Sequence, residues 1–313
     1  MKKNLKLHRT YETNTVSQAC AKVQGFTEMH NKLQKRLFIA GRSESTFKNY
    51  GRHLAKMALH FNCLPTEVDP DQVNDYLYLM KHDYQSPSDS FFKFSVYGLR
   101  FVYRMEGLKD KLIELPILRS SKKLPVVLNR DEMRRLLIAP KLLKHRILIG
   151  LIYGCGLRCF EARNVKLSDL DYEREMLHVR NGKGRKDRYV PLSKHLIRGL
   201  KKYIEAEKPQ IYLFNGKNEG DTGSDLDYKF SQRGVQWAIK QAKKDAGIIK
   251  AMNVHTLRHS FATHLLEDGL DIMTIKELLG HECIETTMIY LHVAQNGRVK
   301  PFSPLDTLYP VKK

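Results

Sequence analysis

Four residues of one stretch, VHTLRHSFATHLLEDGLDIMTIKELLGHECIETTMIY, have the types needed to handle a phosphate together: His255, Arg258, His281 and Tyr290. His255 and Arg258 are three apart, so on a helix over about 256–267 they occupy neighbouring positions of one face near its N-terminus. A helix N-terminus favours an anion. Asn253 and Thr256 suit capping there, and Gly269 suits the helix end. Ile272, Ile275, Leu278 and Leu279 form the stripe of a second short helix ended by Gly280, which leaves His281 at a turn. Residues 286–293 read as a third helical piece carrying Tyr290. The same histidines could suggest a metal, but arginine does not ligate metals and no carboxylate or cysteine completes a ligand set. For each residue alone the bland reading competes: a capping histidine, or a half-buried tyrosine flanked by Ile289 and Leu291.

Two further candidates lie upstream. The run LKHRILIGLIY, residues 143–153, is apolar nearly all round and predicts a buried helix. It leads into GCGLRCFEARNV, which sets Arg158 just past a glycine-rich break, with Glu161 three residues on. An Arg–Glu pair on a helix surface is one reading. The other is a guanidinium held ready for two phosphate oxygens. LHVRNGKGRKDRYVPLS then reads as a β-hairpin with strands LHVR and RYVPL, and Lys183 lies in its turn. Arg185, Lys186 and Arg188 make that hairpin basic enough for contact with a DNA backbone or groove.

The whole chain supports a polyanionic partner. Lys plus Arg number 54 against 34 Asp plus Glu, a net charge of +20, and the pI is about 9.7. DNA or RNA is the economical partner for that excess. No apolar run long enough for a membrane span occurs, and MKKNLKLHRTYETNT lacks a signal-peptide core, so a cytoplasmic, nucleoid-associated protein is expected. Five cysteines without a CxxC pair read as reduced thiols.

The 313 residues suffice for two domains. Residues 1–20 read as a flexible arm and 21–110 as a bundle of amphipathic helices. Lys93, Arg100 and Arg104 recur at helical spacing in its last helix, either as a DNA-facing stripe or as a solvated face. Residues 111–126, with two prolines and a basic cluster, read as a linker, 127–293 as the domain carrying the candidate site, and 294–313 as an extended tail. The fold class expected is mainly α with a small β-hairpin. The Gly/Asp-rich stretch between 215 and 230 reads as a loop without legible function.

Taken together, GCGLRCFE, NGKGRKDRYVPL, VHTLRHSFATHL, LLGH and TTMIYLHV resemble, in order and spacing, the tyrosine recombinase (phage integrase) family, near its Xer-type and integron-type branches. LPVVLNRDEM resembles the usual start of its catalytic domain, so the likeness is clear over about 123–293. Over 21–108 only a helical layout compatible with the family's core-binding domain is present. Cys159 and Phe160 depart from the family pattern without touching the six matched positions.

The resemblance implies catalytic roles for Arg158, Lys183, His255, Arg258, His281 and Tyr290, a 3′-phosphotyrosyl intermediate and a free 5′ hydroxyl. It also implies four protomers, identical or mixed with a related recombinase, on two DNA sites, a C-shaped clamp of two domains, and a tail docked on a neighbour. In this scheme Tyr290 is the nucleophile, and Arg158 and Arg258 bind the anionic transition state. His255 accepts the phenolic proton with Arg258 lowering the phenol's pKa, Lys183 protonates the leaving 5′ oxygen, and His281 donates to a nonbridging oxygen. The phosphotyrosyl bond conserves energy, so neither ATP nor a metal cofactor is expected. Mobile-element integration or DNA inversion is the expected role. The alternatives are a type IB topoisomerase-like enzyme and a non-catalytic DNA-binding protein of the same fold.

Overall fold

Side-chain caps set where several of the helices begin. In the computed structural model, which describes residues 15–82, 89–117, 124–180, 187–216 and 229–294, two compact units occur, Met1–Ser121 and Lys122–Lys313. The fold is mainly helical with one small sheet, as expected.

The first unit contains α1 (Thr15–Lys22), α2 (Phe26–Ile39), α3 (Glu44–Phe61), α4 (Pro70–His82), α5 (Asp89–Glu106) and α6 (Lys109–Ile113). The Ser43 hydroxyl accepts the Thr46 N–H at 3.2 Å to start α3. Asp69 accepts the Asp71 N–H at 2.9 Å beside Pro70, which opens α4 with a φ already suited to a helix. The stripe Phe26, Met29, Leu33 and Leu37 is buried against Leu54, Met57 and Ala58 of α3 and Val96, Leu99 and Tyr103 of α5.

Two boundaries differ from expectation. Residues 15–20 are not an arm: they form most of α1, and Ala19 is fully buried. Residues 111–126 are not a linker throughout: α6 runs to Ile113 and Leu115 is buried in the first core. The basic stripe on α5 is also uneven. Arg100 donates to the Pro116 carbonyl at 2.7 Å, Lys93 is half-buried, and Arg104 is exposed.

The second unit begins at an extended stretch whose Leu128 N–H donates to the Ser260 hydroxyl at 2.9 Å. Asn129 and Glu132 form a reciprocal capping box for α7 (Arg130–Ile138). The apolar run becomes α8 (Leu143–Gly154), with Ile147, Leu148, Ile149, Leu151 and Ile152 all buried. After α9 (Cys159–Arg163) come β1 (Leu170–Asp171), β2 (Met176–Val179) and β3 (Arg188–Pro191), an antiparallel sheet in the order β1-β2-β3. The register pairs Leu177 with Val190 and Val179 with Arg188. β1 is an addition to the expected hairpin: two residues are too short to show a period. Then α10 (Lys194–Glu207), α11 (Gln232–Asp245), α12 (Val254–Glu267), α13 (Ile272–Leu279), α14 (Glu285–Met288) and a 3₁₀ turn (Ile289–His292) complete the unit. Phe261, Ala262, Ile275, Leu279 and Tyr290 form a small core among the last four elements.

Candidate active site

The chain between α8 and α9 is shaped to present one arginine. Gly156 has φ +59°, and a Cβ there would meet the Phe261 ring at 2.5 Å, so this turn requires glycine. Two residues later Arg158 takes the N-cap position of α9 with extended backbone. Its N–H donates to Glu161 Oε2 at 2.9 Å, and its Nη1 donates to Glu161 Oε1 at 2.7 Å.

Glu161 also holds two more arginines. Arg188 of β3 reaches it with Nη2 at 2.8 Å from Oε2 and Nη1 at 3.1 Å from Oε1. Arg258 of α12 pairs with it at 3.7 Å. The end of α13 supplies a second set of acceptors, because the last carbonyls of a helix lack helical partners. The Leu278 carbonyl accepts from Arg188 Nε at 2.7 Å, that of Leu279 from Arg258 Nη2 at 2.5 Å, and that of Gly280 from Arg158 Nη2 at 3.3 Å. Arg258 Nη1 donates to the Gly156 carbonyl at 2.6 Å. Burial alone would raise the Glu161 pKa. The hydrogen bond and charge of Arg188, followed by those of Arg158, instead bring it down to about 2. Desolvation and the nearby Arg158 pull Arg258 down to about 9, so it still carries its charge at neutral pH. Of the three, Arg158 is the most open, with 18 % of its side chain exposed against 9 % for Arg188 and 3 % for Arg258.

Arg188 therefore departs from its expected place as an exposed DNA contact. On β3 it lies on the same face as buried Val190, while Tyr189 between them is exposed. Replacing Arg188 by Ala is expected to cost roughly 1–3 kcal/mol of stability through the charged hydrogen bonds lost. It should leave the slope of DNA affinity on salt unchanged, whereas loss of a phosphate contact would lower that slope by about one. A salt titration of the variant checks this. Lys183, Arg185 and Lys186 lie outside the described residues.

The remaining site residues come from α12 onward. Asn253 accepts the N–H groups of His255 and Thr256 at 2.8 and 3.3 Å and so starts α12. His255 stands at the open edge of that first turn. The protein around its ring, then Arg258 and Arg158, lower its pKa. His281 follows the left-handed Gly280 and places Nδ1 2.9 Å from the hydroxyl of buried Thr287. Desolvation and the three arginines bring its pKa to about 3, so the ring is neutral. In the tautomer with its proton on Nε2, His281 accepts from the Thr287 hydroxyl on Nδ1 and keeps an Nε2–H to donate.

Tyr290 is 1 % exposed, in the small core. Burial pushes its pKa up; Arg258 acts in the expected downward direction, with Arg158, but the two do not overcome that burial. Its hydroxyl meets His259 Nδ1 at 3.0 Å, with ring centroids 5.8 Å apart. His259 was missed in the sequence. The signal available was its spacing: His255 and His259 are one helical turn apart on one face. Among the described residues no cluster of His, Cys, Asp and Glu could hold a metal.

Residues 126–296 match the model of the phage integrase family. The chain belongs to that family, the tyrosine recombinases. This recombinase is 33% identical over 260 residues to the tyrosine recombinase XerA of Pyrococcus horikoshii, covering 82% of this chain and 86% of that protein. It is 40% identical over 203 residues to the XerA of Thermococcus kodakarensis, covering 63% and 69%. Its fold is similar to a XerH site-specific recombinase solved on a palindromic difH substrate after cleavage, with TM-score 0.65, 20% identity and 91% of each chain covered. The recombinase is thus an enzyme of site-specific DNA recombination. Among the described residues, no helix is long and apolar enough to cross a membrane.

Proposed function

We propose that this recombinase cleaves and rejoins DNA through a covalent 3′-phosphotyrosyl bond to Tyr290. The observation that carries this reading is the convergence of Arg158 and Arg258 on Glu161 and the end of α13, close enough to Tyr290 for both charges to act on its phenol. A phosphodiester gains negative charge as it becomes five-coordinate. Two fixed guanidiniums and the Nε2–H of neutral His281 meet that charge with little reorganisation. Lys183, which falls in the sequence between β2 and β3, protonates the leaving 5′ oxygen. His255, at the open start of α12, contacts a phosphate oxygen in this reading. The bond energy is kept in the phosphotyrosyl link, so the cycle requires neither ATP nor a metal.

Both units contribute to DNA binding, with Arg104, Lys93, Arg185 and Lys186 as candidate phosphate contacts. Four protomers act on two sites; the expected docking of the tail on a neighbour falls outside the described residues. The role we assign is integration, excision or inversion of a DNA segment in the cytoplasm.

The test is covalent trapping. Wild-type protein is mixed with nicked suicide DNA bearing candidate sites, in chelator and without ATP. The adduct is digested, and the peptide carrying the nucleotide is sequenced. A phosphotyrosyl peptide at Tyr290 is expected, and an adduct elsewhere overturns the reading. Relaxation of any supercoiled plasmid without exchange between sites would point to a nicking-closing enzyme. The net charge of +20 also predicts that log affinity falls linearly and steeply with log salt concentration. A flat response in a filter-binding titration would exclude the phosphate clamp.

A further inference from the structure

We infer that His259, and not His255, is the residue that takes the phenolic proton of Tyr290 when the DNA strand is cleaved. The inference rests on Tyr290 being the nucleophile, as proposed above. Its basis is contact: the hydroxyl of Tyr290 lies 3.0 Å from His259 Nδ1, a hydrogen-bonding distance. His255 lies one turn nearer the helix start, with its ring 6.4 Å from that of His259, at the exposed edge. A base must reach the proton it removes before its pKa matters.

The surroundings suit an acceptor. His259 is largely enclosed, and desolvation, with His255 and Arg258 on its own helix, brings its pKa to about 4. The imidazole is therefore neutral at physiological pH, free to accept on Nδ1 with its proton on Nε2. Among the described residues, the titratable groups that face it from neighbouring elements are Tyr290 itself and His281, beyond α13, which is also neutral. An imidazole with that pKa does not ionise a buried phenol in the resting enzyme. The proton moves only as the phenol oxygen bonds to phosphorus, when the incoming phosphate adds negative charge beside His259. The step balances: the bond from Tyr290 Oη to phosphorus forms, the bond from phosphorus to the 5′ oxygen breaks, His259 gains the phenolic proton, and Lys183 supplies a proton to the 5′ oxygen. Rejoining runs the same transfers backwards, and His259 returns the proton to Tyr290.

The test uses the full chain and single-turnover cleavage of suicide DNA by wild type, His259→Ala, His259→Asn, His255→Ala and Lys183→Ala. A positioned general base is worth on the order of 10²–10⁴ in rate. A loss of that size is expected for His259→Ala, with unchanged DNA binding. The asparagine variant can hold the phenol by a hydrogen bond but cannot take its proton, so it should stay slow. The slow rate of His259→Ala should climb with pH toward ionisation of the phenol, which a merely structural loss would not do. DNA with sulfur in place of the bridging 5′ oxygen has a leaving group that needs no proton. It should rescue Lys183→Ala and leave His259→Ala slow. Wild-type rates in both His259 variants, rescue of His259→Ala by the sulfur substrate, or the same pH response in His255→Ala instead would overturn the inference. Absence of any adduct from wild type would count against the nucleophile assignment itself.

Discussion

Replacing Tyr290 by Phe is expected to remove the covalent adduct altogether while folding and site binding stay as they are. The ring of Tyr290 packs with Phe261, Ile275 and Leu279, and phenylalanine fills the same space. The only described side-chain partner given up is His259 Nδ1, worth about 1 kcal/mol for a neutral hydrogen bond. The reaction, by contrast, loses the atom that attacks phosphorus. Removing a nucleophile costs on the order of 10⁶ in rate. Mobility shift on a site-bearing duplex and a denaturing gel of suicide DNA measure the two sides separately. Residual adduct in the variant would mean another nucleophile. Tyr153 would be the first suspect, since its hydroxyl contacts His264 Nδ1 at 2.8 Å in the same way. Loss of DNA binding would mean that the hydroxyl shapes the surface as well as reacting.

What could be read from the sequence follows from how local each determinant is. Caps, glycine stops and the apolar run of α8 depend on residues within a few positions, so α3, α7, α8, α12 and α13 fall where their sequences place them. Five of the six matched residues lie among the described ones, and Arg158, Arg258, His281 and Tyr290 act on one another there through charge. α1 escaped because its eight residues carry too short a stripe to show a period, and its burial comes from α3. Arg188 was misplaced by composition: among Arg185, Lys186 and Asp187 it looks like one more surface charge. The period of two on β3 puts it beside Val190, facing inward, and only the fold puts Glu161 there. His259 poses a different problem. Two histidines one turn apart share a face, and the position of Tyr290, 31 residues on, decides which one it meets.

Glu161→Gln should be the most destabilising single change at the site. One carboxylate, 3 % exposed, takes hydrogen bonds from Arg158 and Arg188 and pairs with Arg258. Glutamine keeps the shape but removes the charge and turns one acceptor into a donor facing a guanidinium. Breaking a buried ion pair by removing one partner costs about 3–5 kcal/mol, because the other charge stays buried. Here three like charges are left to repel one another. The dependence on pH follows from the same group. The Glu161 pKa is held at about 2 in the fold against 4.5 ordinarily, so the unfolded chain takes up the proton first as pH falls. Its contribution is complete above 4.5 and disappears as pH drops toward 2. Urea unfolding of wild type and variant should thus differ most near neutrality and converge across that window. A difference below about 1 kcal/mol at neutral pH, or one that persists at pH 2, would show that the α13 carbonyls, and not Glu161, hold the arginines in place.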